Sequence, residues 1–275
     1  MSLYDDPEWA PYLEHPDQLK LQGTAVVTGG NRGNGRAFSC AYAQAGMNVA
    51  IIYRTSEDAP DVAKRIQRQF QQVKVQAYQC DVRELDKLRE TFKRIESDFN
   101  SRITTVIANA GVSTIKPAMQ LSHDDFERIF DTNVYGVFNT CRVAAELWIG
   151  DNRQGSIITI SSMSAQIINE AAPNEPLTQA FYNSSKAAVS ILTKALAAEW
   201  SKKNIRVNSI APGYVETDQT KHMDKEILRH QRKNIPLGRF AQPKELVGQA
   251  LYLSSPRASY SQGSEYLIDG GKLVF

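Results

Sequence analysis

The chain has 275 residues, 32 Lys plus Arg against 30 Asp plus Glu, a formal net charge of +2, and three cysteines. That length buries a sizeable core without crosslinks and suits one large α/β domain. The near-balanced charge, with the basic pairs Lys64-Arg65 and Lys202-Lys203 on predicted helix edges, argues against a nucleic-acid partner, and no apolar run approaches the roughly eighteen residues of a membrane span.

Cys40, Cys80 and Cys141 are odd in number and show no Cys-x-x-Cys spacing, so neither a disulfide framework nor a zinc site is expected, and a reducing compartment is. The amino terminus is acidic and broken by Pro7 and Pro11 rather than basic and then apolar, which makes the cytoplasm the default location. Asn183-Ser-Ser matches a glycosylation sequon by chance. His15, His123, His222 and His230 sit at no metal-ligand spacing and read as surface or packing residues, so no metal is expected.

Residues 1 to 20 carry Pro7, Pro11 and Pro16 without periodicity and read as an extended arm; residues 21 to 275 read as one domain. Thr24 to Thr28 is a short β-branched strand. It runs into Gly29-Gly-Asn31-Arg32-Gly33-Asn34-Gly35 and then into a helical stretch stopped by Gly46. Strand, glycine loop and helix form the context of a phosphate cradle, because glycines let the backbone approach a pyrophosphate while free N–H groups and the positive end of the helix face it. Further strands are predicted over 47–53, 73–79, 103–108, 156–160, 204–211 and 265–268, and helices over 58–72, 84–99, from 122 onward, 179–202, 220–234 and 243–254.

This alternation predicts right-handed βαβ units, a parallel sheet of about seven strands with helices on both faces, and a shared carboxyl edge where ligands bind. At that edge stand Arg54, Asp81 and Val82, then Asn109-Ala110-Gly111, Ser161-Ser162, and Pro212-Gly213 with Val215 and Thr217 beyond. No carboxylate stands directly after the second strand; Tyr53 and Arg54 are there, and the nearest acids, Glu57 and Asp58, come later. An acid at that place would bond an adenosine 2′-hydroxyl and repel a 2′-phosphate, whereas the fork of Arg54, with Arg32, suits the phosphate of NADP(H).

Tyr182-Asn-Ser-Ser-Lys186 opens the helix over 179–202, so the two side chains four apart share a face. A fixed ammonium stabilises a phenolate and lowers its pKa, and such a pair can act as a general acid or base. Ser161 and Ser162 face opposite sides, so one of them looks into the cleft. The helix is apolar nearly all round, including Ala187, Val189, Ile191, Leu192, Ala195, Leu196 and Trp200, more than one sheet face covers.

These residues resemble the single-domain short-chain dehydrogenase/reductases. Thr28-Gly29-x-x-x-Gly33-x-Gly35 matches that family's cofactor loop, Asn109-Ala110-Gly111 its motif after strand four, Asn133 its helix asparagine, Ser162 its serine after strand five, Tyr182-x-x-x-Lys186 its catalytic pair, and Pro212-Gly213 with Thr217 its nicotinamide-side loop. The resemblance runs from about residue 22 to the end. It implies a doubly wound Rossmann-type sheet of order 3-2-1-4-5-6-7, NADP(H) as cofactor, a homo-oligomer, in form a tetramer, and a small ketone or polyol substrate. It further implies that Tyr182 protonates the carbonyl oxygen, Ser162 holds it, Lys186 binds the ribose and lowers the Tyr182 pKa, and Asn133 holds a relay water.

Ser162 and Tyr182 lie twenty positions apart, more than is usual in the family, and the loop between them carries Asn169, Glu170, Asn174, Glu175 and Gln179, which suit a hydroxylated substrate. Within the family this spacing is similar to the fungal mannitol 2-dehydrogenase, sorbose reductase and carbonyl reductase group. A reductase of bulkier ketones, or an inactive NADP-sensing protein, are the other readings. Asn34, standing where many relatives have an apolar residue, has no account from the sequence.

Overall fold

The computed structural model describes residues 20–221 and 223–274, so all but the last residue of the predicted arm, together with His15 and His222, lies outside the described residues. Seven strands form one parallel sheet. These are β1 (Thr24–Thr28), β2 (Asn48–Tyr53), β3 (Val75–Gln79), β4 (Ile103–Ala108), β5 (Gly155–Ile160), β8 (Ile205–Pro212) and β9 (Glu265–Ile268), in the order β3-β2-β1-β4-β5-β8-β9. The sixth and seventh predicted strands are β8 and β9, and the expected order holds. Between β5 and β8 in the chain, where the sequence predicts only a loop, β6 (Glu170–Ala172) and β7 (Glu175–Pro176) make a separate antiparallel hairpin.

The five central strands are buried on both faces, which is why most of them read as near-continuous apolar runs, whereas the edge strands β3 and β9 keep exposed positions. β1 shows burial at every position. One face is covered by α3 (Leu85–Phe99), α5 (Gly136–Gly150) and α6 (Ala180–Trp200), contributing Leu88, Phe92, Cys141, Trp148, Val189 and Leu196. The other is covered by α1 (Gly33–Gln44), α2 (Ala59–Gln69) and α9 (Val247–Ser254), contributing Phe38, Tyr42, Val62, Ile66, Ala250 and Leu253. Three layers result, and the crossovers place every strand's carboxyl end on one edge.

The helix predicted from residue 122 is two helices. α4 (His123–Phe130) begins in a capping box between Ser122 and Asp125 and passes through a π-helical turn, Asp131–Tyr135, into α5. The extra residue of a π turn rotates the helix beyond it, and Asn133 sits in that turn. The segment predicted over 220–234 is likewise split, into α7 (Asp218–Lys221) and α8 (Lys225–Lys233).

Trp148 is fully buried, and its indole N–H donates to the Ile103 carbonyl at 2.8 Å. It lies against Gly155 at the start of β5, where an added Cβ would fall 2.3 Å from the ring. Gly155→Ala should therefore cost about 1–3 kcal/mol by overpacking, read as a lower midpoint in a urea melt with unchanged slope; an unshifted midpoint would show that the ring has room to retreat.

Candidate active site

The carboxyl edge of the sheet opens into a cleft of about 400 Å³ that runs from the glycine loop, past the ends of β2, β3, β4 and β5, to the loop after β8. The glycine loop closes tightly on itself. Gly29 and Gly33 are left-handed, at φ 64 and 50, and a Cβ on Gly35 would stand 2.1 Å from the Gly29 carbonyl oxygen. Only glycine permits that approach. α1 starts at Gly33 with no acidic residue in its first turn, so its free N–H groups face the cleft uncompensated. Asn34 lies in that turn, its Oδ1 buried without a partner among the described residues.

The loop is braced from both sides. Asn31 is buried and donates through Nδ2 to Ser56 Oγ at 2.9 Å, tying the loop to the segment after β2. Asn109 donates through Nδ2 to the Thr28 carbonyl at 2.9 Å, while Thr28 Oγ1 accepts the N–H groups of both Asn109 and Ala110 at 3.0 Å. Arg54 lies at the end of β2, and among the described residues its guanidinium has no hydrogen bond or ion pair; Arg32 is exposed beside α1. Asp81 forms a two-pronged pair with Arg83. Burial works against its charge, but the bonds from Arg83 hold its carboxyl below the usual range. Val82 packs on Gly136 and its carbonyl accepts from Asn139 at 3.1 Å.

The reacting groups expected from the sequence converge between β5 and α6. Lys186 is buried and donates from Nζ to the Ile160 carbonyl at 2.7 Å, with the ammonium 5.7 Å from the centre of the Tyr182 ring. Desolvation lowers its pKa to about 8, which leaves the ammonium form dominant at neutral pH. The expected lowering of the Tyr182 pKa is not what the site shows. Burial is the largest influence and raises it, and the Ser162 hydroxyl, close enough to bond the phenol, is what pulls the other way. Ser162 also accepts the Ser164 N–H at 3.1 Å. Its neighbour Ser161 turns the opposite way, toward α6, where its hydroxyl meets Ser190 at 2.7 Å and the Lys186 carbonyl at 3.2 Å.

Asn133 departs from its expected role in one respect. Its side chain is fully engaged, accepting the Val112 N–H at 2.8 Å and donating to the Val112 carbonyl at 2.9 Å and to Ser185 at 3.0 Å. It is thus a clamp between the segment after β4 and α6, and it touches the position a Cβ on Gly111 would occupy, 3.3 Å away. Pro212 and Gly213 end β8 against Asp269, Val215 is buried in a bridge to Ala241, and Thr217 faces Gly33 across the cleft.

Of the five polar residues expected to meet substrate, Asn169 and Gln179 line the cleft. Glu170 instead faces His230 on α8, at 3.3 Å, with Asn234 beside it, and Asn174 is the left-handed turn residue of the hairpin at φ 63. Sequence reasoning missed Ser164, Leu177 and Tyr214, which also line the cleft. Only Tyr214 carried a signal, its place directly after Pro212-Gly213.

Against known proteins, residues 29–272 match the family described as Enoyl-(Acyl carrier protein) reductase. A sorbose reductase of Candida albicans is 38% identical over 96% of this chain and 93% of its own. The chain belongs to the short-chain dehydrogenase/reductase family. This short-chain dehydrogenase/reductase is also 35% identical to an NADP-dependent mannitol dehydrogenase of Alternaria alternata, covering 95% of this chain and 96% of that one. In structure it superposes on the NADPH-dependent 3-quinuclidinone reductase of Rhodotorula rubra with a TM-score of 0.86 at 31% identity, covering 96% and 97% of the two chains. As members of this family are, it is an oxidoreductase acting on CH–OH groups with a nicotinamide dinucleotide. The glycine cradle, the N-terminus of α1 free of acidic residues, and the Arg54 cation at the end of β2 fit such a cofactor.

Proposed function

We propose that this chain reduces ketoses and related small ketones with NADPH, and oxidises the matching polyols in reverse, in the cytoplasm. The observation that carries the reading is the meeting of Ser162, Tyr182 and Lys186 in one cleft with the glycine loop and Arg54. Similarity to a sorbose reductase and a mannitol dehydrogenase supports the ketose class. The cofactor, when bound, supplies the hydride.

The residues would divide the work between the two halves of the cleft. Gly29, Asn31, Gly33, Asn34 and Gly35 hold the pyrophosphate at the start of α1, and Arg54 with Arg32 grips the 2′-phosphate. Asp81, Val82, Asn109, Ala110 and Gly111 line one side of the dinucleotide, and Pro212, Gly213, Val215 and Thr217 the nicotinamide side. Tyr182 stays protonated through neutral pH and gives its proton to the carbonyl oxygen as charge develops there, while Ser162 donates a hydrogen bond to the same oxygen. Lys186 bonds the ribose and places a positive charge near the phenolate that Tyr182 becomes. Asn133 positions the backbone beside Lys186; since its amide is spent, a relay water would be held by its main chain.

The resemblance to the quinuclidinone reductase favours a second reading, a reductase of bulkier ketones such as acyl-thioester, steroid or secondary-metabolite carbonyls, for which Met163 and Leu177 supply lining. Rates with NADPH for fructose, sorbose and xylulose, set against an aryl ketone and an acetoacetyl thioester, separate the two. Faster turnover of a ketose is expected, and a preference for either bulky ketone would overturn the ketose reading.

Tyr182→Phe removes only the proton donor, so it should lower ketone reduction by roughly 10² to 10⁴-fold and leave NADPH affinity near its original value in a fluorescence titration. Arg54→Asp should raise the KM for NADPH about tenfold or more and leave that for NADH unchanged or lower, since a charge-assisted contact is worth on the order of 1.5–3 kcal/mol. An unaltered NADPH KM would place the phosphate elsewhere.

A second copy of the chain is the proposed cover for the outer face of α6, where Ile191 is 64% exposed beside the exposed Ala195 and Ala198. Sedimentation at micromolar concentration should give an oligomer, a tetramer by family resemblance; a monomer would refute it.

A further inference from the structure

The cleft holds two polar groups that neither the fold nor the dinucleotide cradle uses. The Tyr214 hydroxyl is closed off from water and has no hydrogen-bond partner among the described residues, although its ring is stacked on Phe240 with centroids 4.8 Å apart and planes at 16°. The Asn169 side chain is buried, with the residue 2% exposed. Its Nδ2 donates to Ser164 Oγ at 2.8 Å and its backbone carbonyl accepts the Leu177 N–H at 2.6 Å, yet its Oδ1 has no partner among the described residues. Both residues line the cleft that contains Ser162 and Tyr182, and since each unpaired atom is covered as the cleft stands, its use by a ligand requires a small shift of the side chains over it.

Buried polar groups are nearly always paired, because an unpaired one has given up its bonds to water and gained nothing. The structural duties of these two residues do not explain the unpaired atoms. Stacking on Phe240 requires only the ring of Tyr214, which a phenylalanine would supply equally. Anchoring the β6–β7 hairpin uses the Nδ2 and the carbonyl of Asn169 and leaves the rest of its amide idle.

We propose that Tyr214 and Asn169 read the hydroxyl groups flanking the carbonyl of a ketose, Tyr214 as a donor and Asn169 as an acceptor. This rests on the ketose reading above and deepens it. The two readers are rigidly referenced to the reacting atoms. Asn169 is pinned by Ser164, whose own N–H donates to Ser162 Oγ at 3.1 Å, so the amide keeps a fixed offset from the serine that would hold the carbonyl oxygen. Tyr214 comes directly after Pro212-Gly213, and its phenol is kept protonated by burial and by the nearness of Tyr182, which makes it a committed donor. A pocket that commits a buried donor and a buried acceptor discriminates against a substrate lacking the matching hydroxyls far more strongly than a greasy pocket discriminates by size.

The test compares kcat/KM with NADPH for a ketose, D-fructose or L-sorbose, with that for 2-pentanone, which has a ketone carbonyl and no hydroxyls, in the parent chain, in Tyr214→Phe and in Asn169→Ala. The ratio of ketose to 2-pentanone should fall about tenfold in Tyr214→Phe, mainly through a higher KM for the ketose, and further in the double variant, since the lost contacts bind ground and transition states alike. Parallel losses on both substrates, leaving the ratio where it was, would mean that the two residues only support the fold and would overturn the inference while the ketose reading stands. A parent chain that shows no preference for any ketose over 2-pentanone would overturn both. Should Asn169→Ala melt the hairpin, seen as a lowered Tm, Tyr214→Phe decides alone, because it keeps the ring on Phe240.

Discussion

The hydrogen bond from the buried Lys186 ammonium to the Ile160 carbonyl, 2.7 Å long, is the constraint on which the rest of the site depends. It joins the last residue of a central strand to the second turn of the longest helix, and it does so with a charge that burial disfavours enough to lower its pKa to about 8. A charge is left in such a place only where its bonds are good. With Lys186 fixed, the helix geometry fixes Tyr182 one turn earlier. The strand pleat then sends Ser161 to α6 and Ser162 to the cleft. Three chemically different side chains are positioned by a single buried contact and two regular periodicities.

The cofactor half of the cleft is held by a different device, close backbone approach. Gly35 nearly touches the Gly29 carbonyl, and the turn so formed is braced by Thr28 and Asn109 on one side and Asn31 on the other. These ties join the ends of β1, β2 and β4, so the cradle, the backbone that follows β2 and the segment after β4 keep fixed relative positions. Asn133 extends the brace from Val112 to Ser185 on α6, linking the cofactor half to the reacting half.

Short elements stand beside this rigid floor, next to Asn169 and Leu177 of the cleft. The β6–β7 hairpin and α8 meet where Glu170 contacts His230 at 3.3 Å and Asn234 at 3.5 Å. Neither element has a large buried face of its own: α8 buries only Gln231 among its residues. Polar contacts hold them to each other, and segments stabilised in this way are drawn from the low-stability end of a fold. The division suits a family in which cofactor geometry is shared and substrate differs.

The sequence by itself determined the order of strands and helices, the glycine cradle, and the Tyr182–Lys186 face. Each of these rests on a local rule: apolar runs of fixed length, glycine where a Cβ would collide, and side chains four apart on a helix. It also placed the choice between Ser161 and Ser162, through strand alternation together with family resemblance. Tertiary structure alone decided what depends on contacts distant in the chain. The helix from residue 122 breaks at a π turn because Asn133 must reach Val112 and Ser185, a demand absent from its own neighbourhood. The hairpin of three and two residues, with Pro173 and Pro176, carries too short a pattern to announce strands, and it forms against α8. The pKa of the Tyr182 phenol rises rather than falls because burial, which no local pattern encodes, outweighs the hydrogen bond from Ser162. Only the packed cleft shows Tyr214 and Asn169 with unpaired polar atoms, since whether a group is paired is a property of everything that surrounds it.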